Sequence, residues 1–235
     1  MEIVRGRRME IICISLGGSI ISTEEGINID FVKKFSRILK NNIKRYKFII
    51  VVGGGYANRL YINSTRSIIN NNALLDEVGI AFTRINALMM KDLFKDFRTY
   101  PNVVTDLEEL KAAINENEIV LMGGLIQGIT TDASTVLACE VTGCKKLVNV
   151  SSVGYIYDKN PSEKGAKRLD RLNYQQLLEL AFKYDSREAK APFVFDLVGC
   201  KLARRSRIEI RFVSNDMEEI EKAIQGRPYK GSIVK

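Results

Sequence analysis

The chain has 235 residues, a length that allows one large domain or two small ones, and 46% of its residues are hydrophobic, which is enough for a sizeable core. It contains no histidine, so Ser-His and Cys-His nucleophile pairs and an imidazole general base are excluded. The net charge of +8 is mostly spread along the chain, which is as compatible with an enzyme for small phosphorylated substrates as with a nucleic-acid binder.

The four cysteines also limit the chemistry. Cys13, Cys139, Cys144 and Cys200 form no CxxC pair and show no metal-ligand spacing, so we predict no protein-bound metal and scattered, buried thiols in a reducing cytoplasm. No apolar run reaches the roughly 20 residues that span a bilayer, and no signal peptide is indicated. Residues 1–8 are basic and precede the first strand, so we expect a flexible extension followed by one domain over 9–235.

Strand and helix patterns alternate from Ile11 to the C-terminus. Short apolar runs predict strands over 11–16, 48–52, 103–104, 119–122, 147–150 and 208–213, with 232–234 as a closing edge strand. Helical periodicity predicts helices around 31–43, from 56 to about 67, from 74 to about 97, and over 107–114, 133–141, 174–182, 196–206 and 217–224. This alternation predicts an α/β fold, a three-layer αβα sandwich on a central, mostly parallel sheet.

Local signals refine some of these boundaries. Thr105 and Glu108 form a capping-box pattern, and Asn173 is a candidate cap for the helix whose buried face includes Phe182. The polar segments 158–171 and 183–192 are predicted to be loops.

The centre of the pattern is the apolar run 48–52, which ends in Gly53, Gly54 and Gly55 and is followed by a helix that carries Arg59. Glycines let a backbone approach a ligand closely, and the start of a helix favours an anion. The alternative is a tight strand-to-helix turn with a surface arginine.

Two further strands end in glycine, at Gly17-Gly18 and at Gly123-Gly124. Ligands bind beyond the carboxyl ends of strands in open parallel sheets, so these three turns are predicted to line one crevice. None of the turns fits GxGxxG or the Walker pattern, which disfavours a Rossmann cofactor site or a P-loop.

Several segments resemble one known family. They are Leu16–Ser19, Val51–Gly55 with Arg59, Asp76–Ile80 with Thr83–Ala87, Met122–Gly124 with Gly128–Ala133, Asp196–Ser206 and Gly231–Ile233. This set resembles the amino acid kinase superfamily, and within it most closely the archaeal-type uridylate kinases. The resemblance implies transfer of the γ-phosphate of ATP to UMP with Mg²⁺, an acceptor half over 9–145, a donor half over 146–235, a homohexamer, and no nucleic-acid or membrane partner.

The same resemblance assigns site residues. UMP would be bound by Gly54, Asp76, Leu125, Ile126, Gln127, Gly128, Ile129, Thr130 and Thr131. ATP would be bound by Gly18, Ser19, Gly55, Arg59, Ser151, Tyr157 and Asn160. Arg59, Asp132 and Lys201 would have catalytic roles.

The residues by themselves leave alternatives open for several of these positions. Asp76 also fits a helix start, and Asp132 fits a helix cap as well as it fits a catalytic role. Lys201 also fits a solvated helix position, and Tyr157 fits a core or edge aromatic residue. Two further residues, Arg84 and Asn86, are interpreted as subunit contacts or helix surface.

The chain departs from the family pattern at four places. Ser15 stands where many members have lysine, and Gly154 and Asn160 stand where the family has carboxylates. The segment 125–127 is less polar than usual. The alternatives are an acetylglutamate or isopentenyl phosphate kinase, although the absence of histidine disfavours the latter, and a non-catalytic nucleotide-binding homologue.

Overall fold

The computed structural model describes residues 9–184 and 195–235. The expected extension over 1–8 and the part of the second polar loop over 185–192 lie outside these residues. Within them, no helix is both long enough and apolar enough to cross a membrane.

Most of the strands form one central sheet. Their bounds are β1 Glu10–Leu16, β2 Ser22–Thr23, β3 Gly26–Ile27, β4 Tyr46–Val52, β5 Ile119–Met122, β6 Lys146–Val150, β7 Ile156–Tyr157, β8 Arg168–Leu169, β9 Arg171–Leu172, β10 Glu209–Val213 and β11 Gly231–Val234. Seven strands pair in the order β5-β4-β1-β6-β10-β11-β9. The pairs from β5 to β10 are parallel, and β11 is antiparallel to β10.

Helices cover both faces of this sheet. Their bounds are α1 Gly18–Ile21, α2 Ile29–Asn42, α3 Gly55–Thr65, α4 Asn72–Leu93, α5 Leu107–Glu116, α6 Thr131–Thr142, α7 Tyr174–Tyr184, α8 Leu197–Ser206 and α9 Met217–Gln225. Apolar residues of α1, α2, α4 and α9 pack on one face, and those of α5, α6, α7 and α8 pack on the other. The predicted three-layer αβα sandwich is confirmed.

The strand β1 shows why the sequence gives this architecture. Ile12, Ile14 and Leu16 point into one core, whereas Cys13 and Ser15 point to the opposite face, and all five are buried. A strand covered on both faces reads as a continuous apolar run, because the side chains alternate between two buried surfaces.

Two helix starts follow the cap chemistry in different ways. Asn173 accepts a hydrogen bond from the Gln176 N–H, and the Gln176 side chain accepts one from the Asn173 N–H, both at 2.9 Å, so the predicted cap is confirmed. The capping box at Thr105 is wrong by one residue. The cap is Asp106, whose carboxylate accepts from the N–H groups of Glu108 at 2.7 Å and Glu109 at 3.0 Å.

The predictions were also wrong in four other places. The final strand is not an edge, because β11 lies between β10 and β9. The expected loop over 158–171 contains β8 and the first residue of β9. Phe182 was predicted to be buried but is 77% exposed, so helical periodicity alone made the apolar face of α7 too wide. The predicted long helix ends at Leu93, four residues short of the expected end.

Candidate active site

The three glycine turns lie in one row at the carboxyl edge of the sheet. In the parallel register, Leu16 pairs with both Val52 and Val150, and Val51 pairs with Met122. The turns that follow β1, β4 and β5 therefore leave the sheet on the same side. The end of β6 joins this row, because the Gly17 N–H donates to the Val150 carbonyl at 2.8 Å.

Two of these turns touch backbone to backbone. A Cβ atom at Gly18 would lie 2.6 Å from the Gly53 carbonyl carbon and 2.7 Å from the Gly54 nitrogen. At Gly55, where φ is +72°, a Cβ atom would lie 2.5 Å from the Gly18 carbonyl oxygen. Only glycine fits at these positions, and the amides of two strand ends are brought within one small region.

The helix α4 fixes the turns from the side. Asn86 donates to the carbonyls of Gly53 at 2.8 Å and Gly54 at 3.0 Å, and it is only 3% exposed. Arg84 donates to the carbonyls of Gly124 at 3.2 Å and Leu125 at 3.2 Å. Asn86 is therefore not a helix-surface residue, because it is buried and its amide satisfies backbone carbonyls of the turns. Arg84 is half-buried, and its interpretation as a subunit contact stays a prediction.

The loop after β5 is held against the start of α4. The Gly128 N–H donates to the Asp76 carboxylate at 2.8 Å, and the Gln127 side chain donates to Glu77 at 2.9 Å. A cleft of about 490 Å³ opens beside this loop and is lined by Glu77, Ile80, Ala81, Arg84, Leu125 and Gln127. Its volume falls in the range of small-molecule sites.

Asp132 is tied to the sheet rather than to the end of its helix. The cap of α6 is Thr130, whose hydroxyl oxygen accepts from the N–H groups of Asp132 and Ala133. The Asp132 carboxylate instead accepts from the Ser15 hydroxyl at 2.7 Å and the Asn149 amide at 2.8 Å. Asp132 is therefore not the cap of α6, and its catalytic role stays a prediction.

The charge of Asp132 is costly in this setting. Burial raises the pKa of its carboxyl group to about 7, and the nearby Asp196 carboxylate adds to the rise, while the Ser15 and Asn149 donors oppose it. Asp196 caps α8 through the Gly199 N–H at 2.9 Å and accepts from the Thr130 hydroxyl at 2.6 Å. The starts of α6 and α8 therefore meet beside the glycine row, with two carboxylates close together.

Beyond β6 lies a second set of predicted site residues, each already engaged. The Ser151 hydroxyl donates to the Val153 carbonyl at 2.6 Å, and Asn160 accepts from the Ser162 hydroxyl at 2.8 Å. Tyr157 accepts from Arg168 at 3.3 Å. These contacts order the loops around β7 and β8 next to the site.

Comparison with known proteins identifies the family. The model of the amino acid kinase family matches residues 10–214.

The chain belongs to the amino acid kinase family.

Individual relatives support this membership. The uridylate kinase of Thermoplasma acidophilum is 39% identical over 220 residues, which cover 92% of this chain and 93% of that protein. The uridylate kinase of Thermoplasma volcanium is 37% identical, with coverage of 93% and 95%. The crystal structure of uridylate kinase from Archaeoglobus fulgidus matches with a TM-score of 0.82 and 30% identity, covering 97% of this chain and all of that one.

Three of the residues that were predicted to bind ATP or to act in catalysis are exposed to solvent. Ser19 in α1, Arg59 in α3 and Lys201 in α8 are exposed, and none has a hydrogen bond or ion pair with a described residue. Each lies in or near the first turns of a helix that begins at the carboxyl edge of the sheet. They are available for an anion, and their roles stay predictions.

Two residues that donate hydrogen bonds to Asp132 in the candidate site were not predicted from the sequence. Asn149 lies in β6 and reads as one polar residue in an apolar strand, although a polar residue there is itself a signal for a buried contact. Ser15 was noticed only as a missing lysine, whereas the structure gives it a positive role as a donor to Asp132.

Proposed function

We propose that this chain is a uridylate kinase that transfers the γ-phosphate of ATP to UMP and forms ADP and UDP. The observation that carries the proposal is the single row of glycine turns at the carboxyl edge of β1, β4 and β5. Relatives that cover nearly the whole chain and bear the name uridylate kinase support the choice of substrate.

The acceptor is assigned to the α4 side of the row. Asp76 uses one carboxylate oxygen to hold the Gly128 amide, which leaves the other oxygen for the ribose hydroxyls of UMP. The segment Leu125–Thr131 would wrap the nucleotide, with Gly54 beneath it and Thr130 and Thr131 as donors. The partly exposed or exposed surface of this segment is consistent with that role.

The donor is assigned to the β6 side. Gly18, Ser19 and Gly55 would meet the ATP phosphates, because the starts of α1 and α3 offer amides there. Ser151, Tyr157 and Asn160 would hold the nucleoside. A carboxylate does not fit at Gly154, where a Cβ atom would lie 2.5 Å from the Ser214 nitrogen, so this chain must recognise the nucleoside with other groups.

Transfer of a phosphoryl group to UMP requires mainly positioning and charge neutralisation from the protein. The second pKa of a phosphate monoester is about 6, so UMP is already mostly dianionic near neutral pH and needs no general base. Transfer depends on in-line placement and neutralisation of charge, which backbone amides, Arg59 and Lys201 can provide. A chain without histidine is well suited to this reaction.

The residues also fit Mg²⁺ bound with ATP. Asp132 has one carboxylate oxygen without a hydrogen bond to any described residue, and the Asp196 carboxylate lies close enough to raise the pKa of Asp132. Magnesium is held in such sites by one or two carboxylates together with substrate phosphates. Asp132 would hold the ion, and Asp196 is a second carboxylate nearby. The ion would neutralise charge on the transferred group.

The surface supports assembly into a homo-oligomer, in line with the expected homohexamer. Several large apolar side chains of α3 and α4 are exposed, namely Leu60, Tyr61, Ile85, Leu88 and Met89. A patch of this kind on helices beside the acceptor cleft fits a contact between copies of the chain.

The four cysteines form no disulfide, which supports the expected cytoplasmic location.

A coupled assay with ATP, Mg²⁺ and a panel of acceptors, which includes nucleoside monophosphates, acetylglutamate and isopentenyl phosphate, tests the proposal. Turnover confined to UMP is expected. Turnover with acetylglutamate or isopentenyl phosphate instead, or none with any monophosphate, would reject the assignment.

A further inference from the structure

Three cysteines that are far apart in the sequence meet inside the protein. The sulfur atoms of Cys13, Cys139 and Cys144 all lie within 4.8 Å of one another. All three residues are buried, with at most 4% of their surface exposed. The prediction of scattered thiols is therefore wrong for three of the four cysteines.

Each sulfur atom comes from a different element. Cys13 lies in β1 on the face that α6 covers, and Cys139 lies near the end of α6. Gly143 ends α6 in a left-handed conformation and turns the chain towards β6, which brings Cys144 under the helix. The Cys144 thiol also lies 3.0 Å from the Ile11 carbonyl oxygen and 3.1 Å from that of Lys146.

This arrangement matches a trigonal metal site. Three sulfur ligands at about 2.3 Å from a central ion lie about 4.0 Å apart, so the cluster requires adjustments of less than about 1 Å. Thiolate ligands select soft ions such as Cu(I) and zinc. Zinc prefers four ligands, whereas the cluster has three sulfur atoms and no histidine or carboxylate among them.

We propose that Cys13, Cys139 and Cys144 form a binding site for one soft monovalent cation, Cu(I). The proposal does not depend on which kinase reaction the protein catalyses.

The three thiols lie in an apolar environment. The cluster belongs to an apolar core that includes Ile49, Val136 and Leu147, where a net charge is costly. Cysteine binds a metal as thiolate, so each cysteine that coordinates Cu(I) releases its proton to water, and retention of the ion is expected to increase with pH.

The site lies beneath the catalytic edge on the same two elements. Cys13 is two residues before Ser15 on β1, and Cys139 is seven residues, or about two turns, after Asp132 on α6. A bound ion would therefore link the C-terminal part of α6 to β1, the strand whose Ser15 donates to Asp132. We expect occupancy to raise the Tm.

Binding can be measured directly on the full chain. The protein is refolded without oxygen in the presence of Cu(I), dialysed against bathocuproine disulfonate as a competing chelator, and analysed for copper by mass spectrometry. About one ion per chain is expected to remain, with a higher Tm than that of the metal-free protein.

Matched variants assign the ligands. Cys13→Ala, Cys139→Ala and Cys144→Ser are each expected to weaken retention at least 10-fold, whereas Cys200→Ala, which removes a buried cysteine outside the cluster, should keep it. Circular dichroism checks that each variant folds. Loss of copper by Cys200→Ala to the same extent as by Cys144→Ser would overturn the assignment.

A second measurement on the unaltered chain does not depend on the folding of variants. Pulse alkylation during partial unfolding, followed by peptide mapping, should show that Cu(I) protects Cys13, Cys139 and Cys144 but not Cys200. No retained copper in the refolded protein, or equal protection of all four thiols, would refute the site.

Discussion

Asp132 is the described carboxyl group whose pKa the fold raises. Its pKa of about 7 lies above the ordinary value of 3.8, so the folded state binds a proton that the unfolded state releases between these two values. The cost of this group is absent below about pH 4, grows as the pH rises and is complete above about pH 7.

This gives a prediction for Asp132→Asn, which can accept the same hydrogen bonds from Ser15 and Asn149. In the nucleotide-free protein, the variant should be more stable than the unaltered chain at pH 8, by roughly 2–4 kcal/mol after allowance for partial exposure, and the difference should fall by about half or more towards pH 5. Urea denaturation at several pH values measures it. A difference that does not change with pH would refute the raised pKa. The variant should also lose activity, because the carboxylate that would hold Mg²⁺ is gone.

Asp196→Asn separates the two causes of the shift. Asparagine can keep the bond from the Gly199 N–H through its single carbonyl oxygen and turn its amide nitrogen to the Thr130 hydroxyl as a donor, and it removes the negative charge near Asp132. The pKa of Asp132 should fall part of the way, since burial is the larger cause. The midpoint of the stability change should move to lower pH. An unchanged midpoint would mean that Asp196 does not act on Asp132.

Arg59 tests the phosphate side of the site. A charge-assisted hydrogen bond contributes roughly 1.5–3 kcal/mol, so Arg59→Ala should lower kcat/KM for UMP phosphorylation by about 10–100-fold. Arg66→Ala, at the other end of α3, is the control and should have nearly normal kinetics. Normal kinetics for Arg59→Ala would remove this residue from the site.

At the scale of elements, the contact between the turns after β1 and β4 decides the shape of the site. Gly18→Ala places a methyl group against the backbone of Gly53 and Gly54 and should destabilise the protein by about 2 kcal/mol or more and weaken ATP binding. Gly79→Ala in α4 is the control, because its nearest neighbours lie at 3.6 Å or beyond and alanine favours a helix. Thermal melts and ATP titrations of both variants check this. Equal tolerance of the two changes would show that the turns are not in tight contact.

Much of the fold could be predicted because its main strands are buried on both faces. The runs that became β1, β4, β5 and β6 contain almost no polar residues and end in glycine or serine, so their limits were visible in the sequence. Short elements such as β7 and β8 could not be predicted, since two residues carry no periodicity. The order of the last strands depends on long-range pairing that no local pattern encodes.

Only the glycine turns of the candidate site could be predicted from the sequence. The turns carry a local signal, because their conformation and close approach demand that residue. The contacts of Asn86 with two turn carbonyls and of Ser15 with Asp132 join residues 32 to 117 positions apart, so they follow from the packed fold alone. The cluster of three cysteines was missed for the same reason.

At the scale of the whole molecule, the apolar patch of α3 and α4 predicts association. Leu88→Glu should convert the assembled protein to a smaller species, because it places a charge in an apolar contact. Phe182→Glu, on a more exposed apolar residue of α7 in the other helical layer, is the control and should leave the assembly intact. Light scattering after size-exclusion chromatography distinguishes the two. Association that survives Leu88→Glu would place the contact elsewhere.

The central claim is that one continuous crevice holds two nucleotides with their phosphates facing each other. A bisubstrate compound, in which adenosine and uridine are joined by five phosphates, can be titrated calorimetrically into the full chain. One molecule is expected to bind per chain, more tightly than either nucleotide, and to be displaced by both ATP and UMP. Displacement by only one of the two, or binding no tighter than that of a single nucleotide, would contradict it.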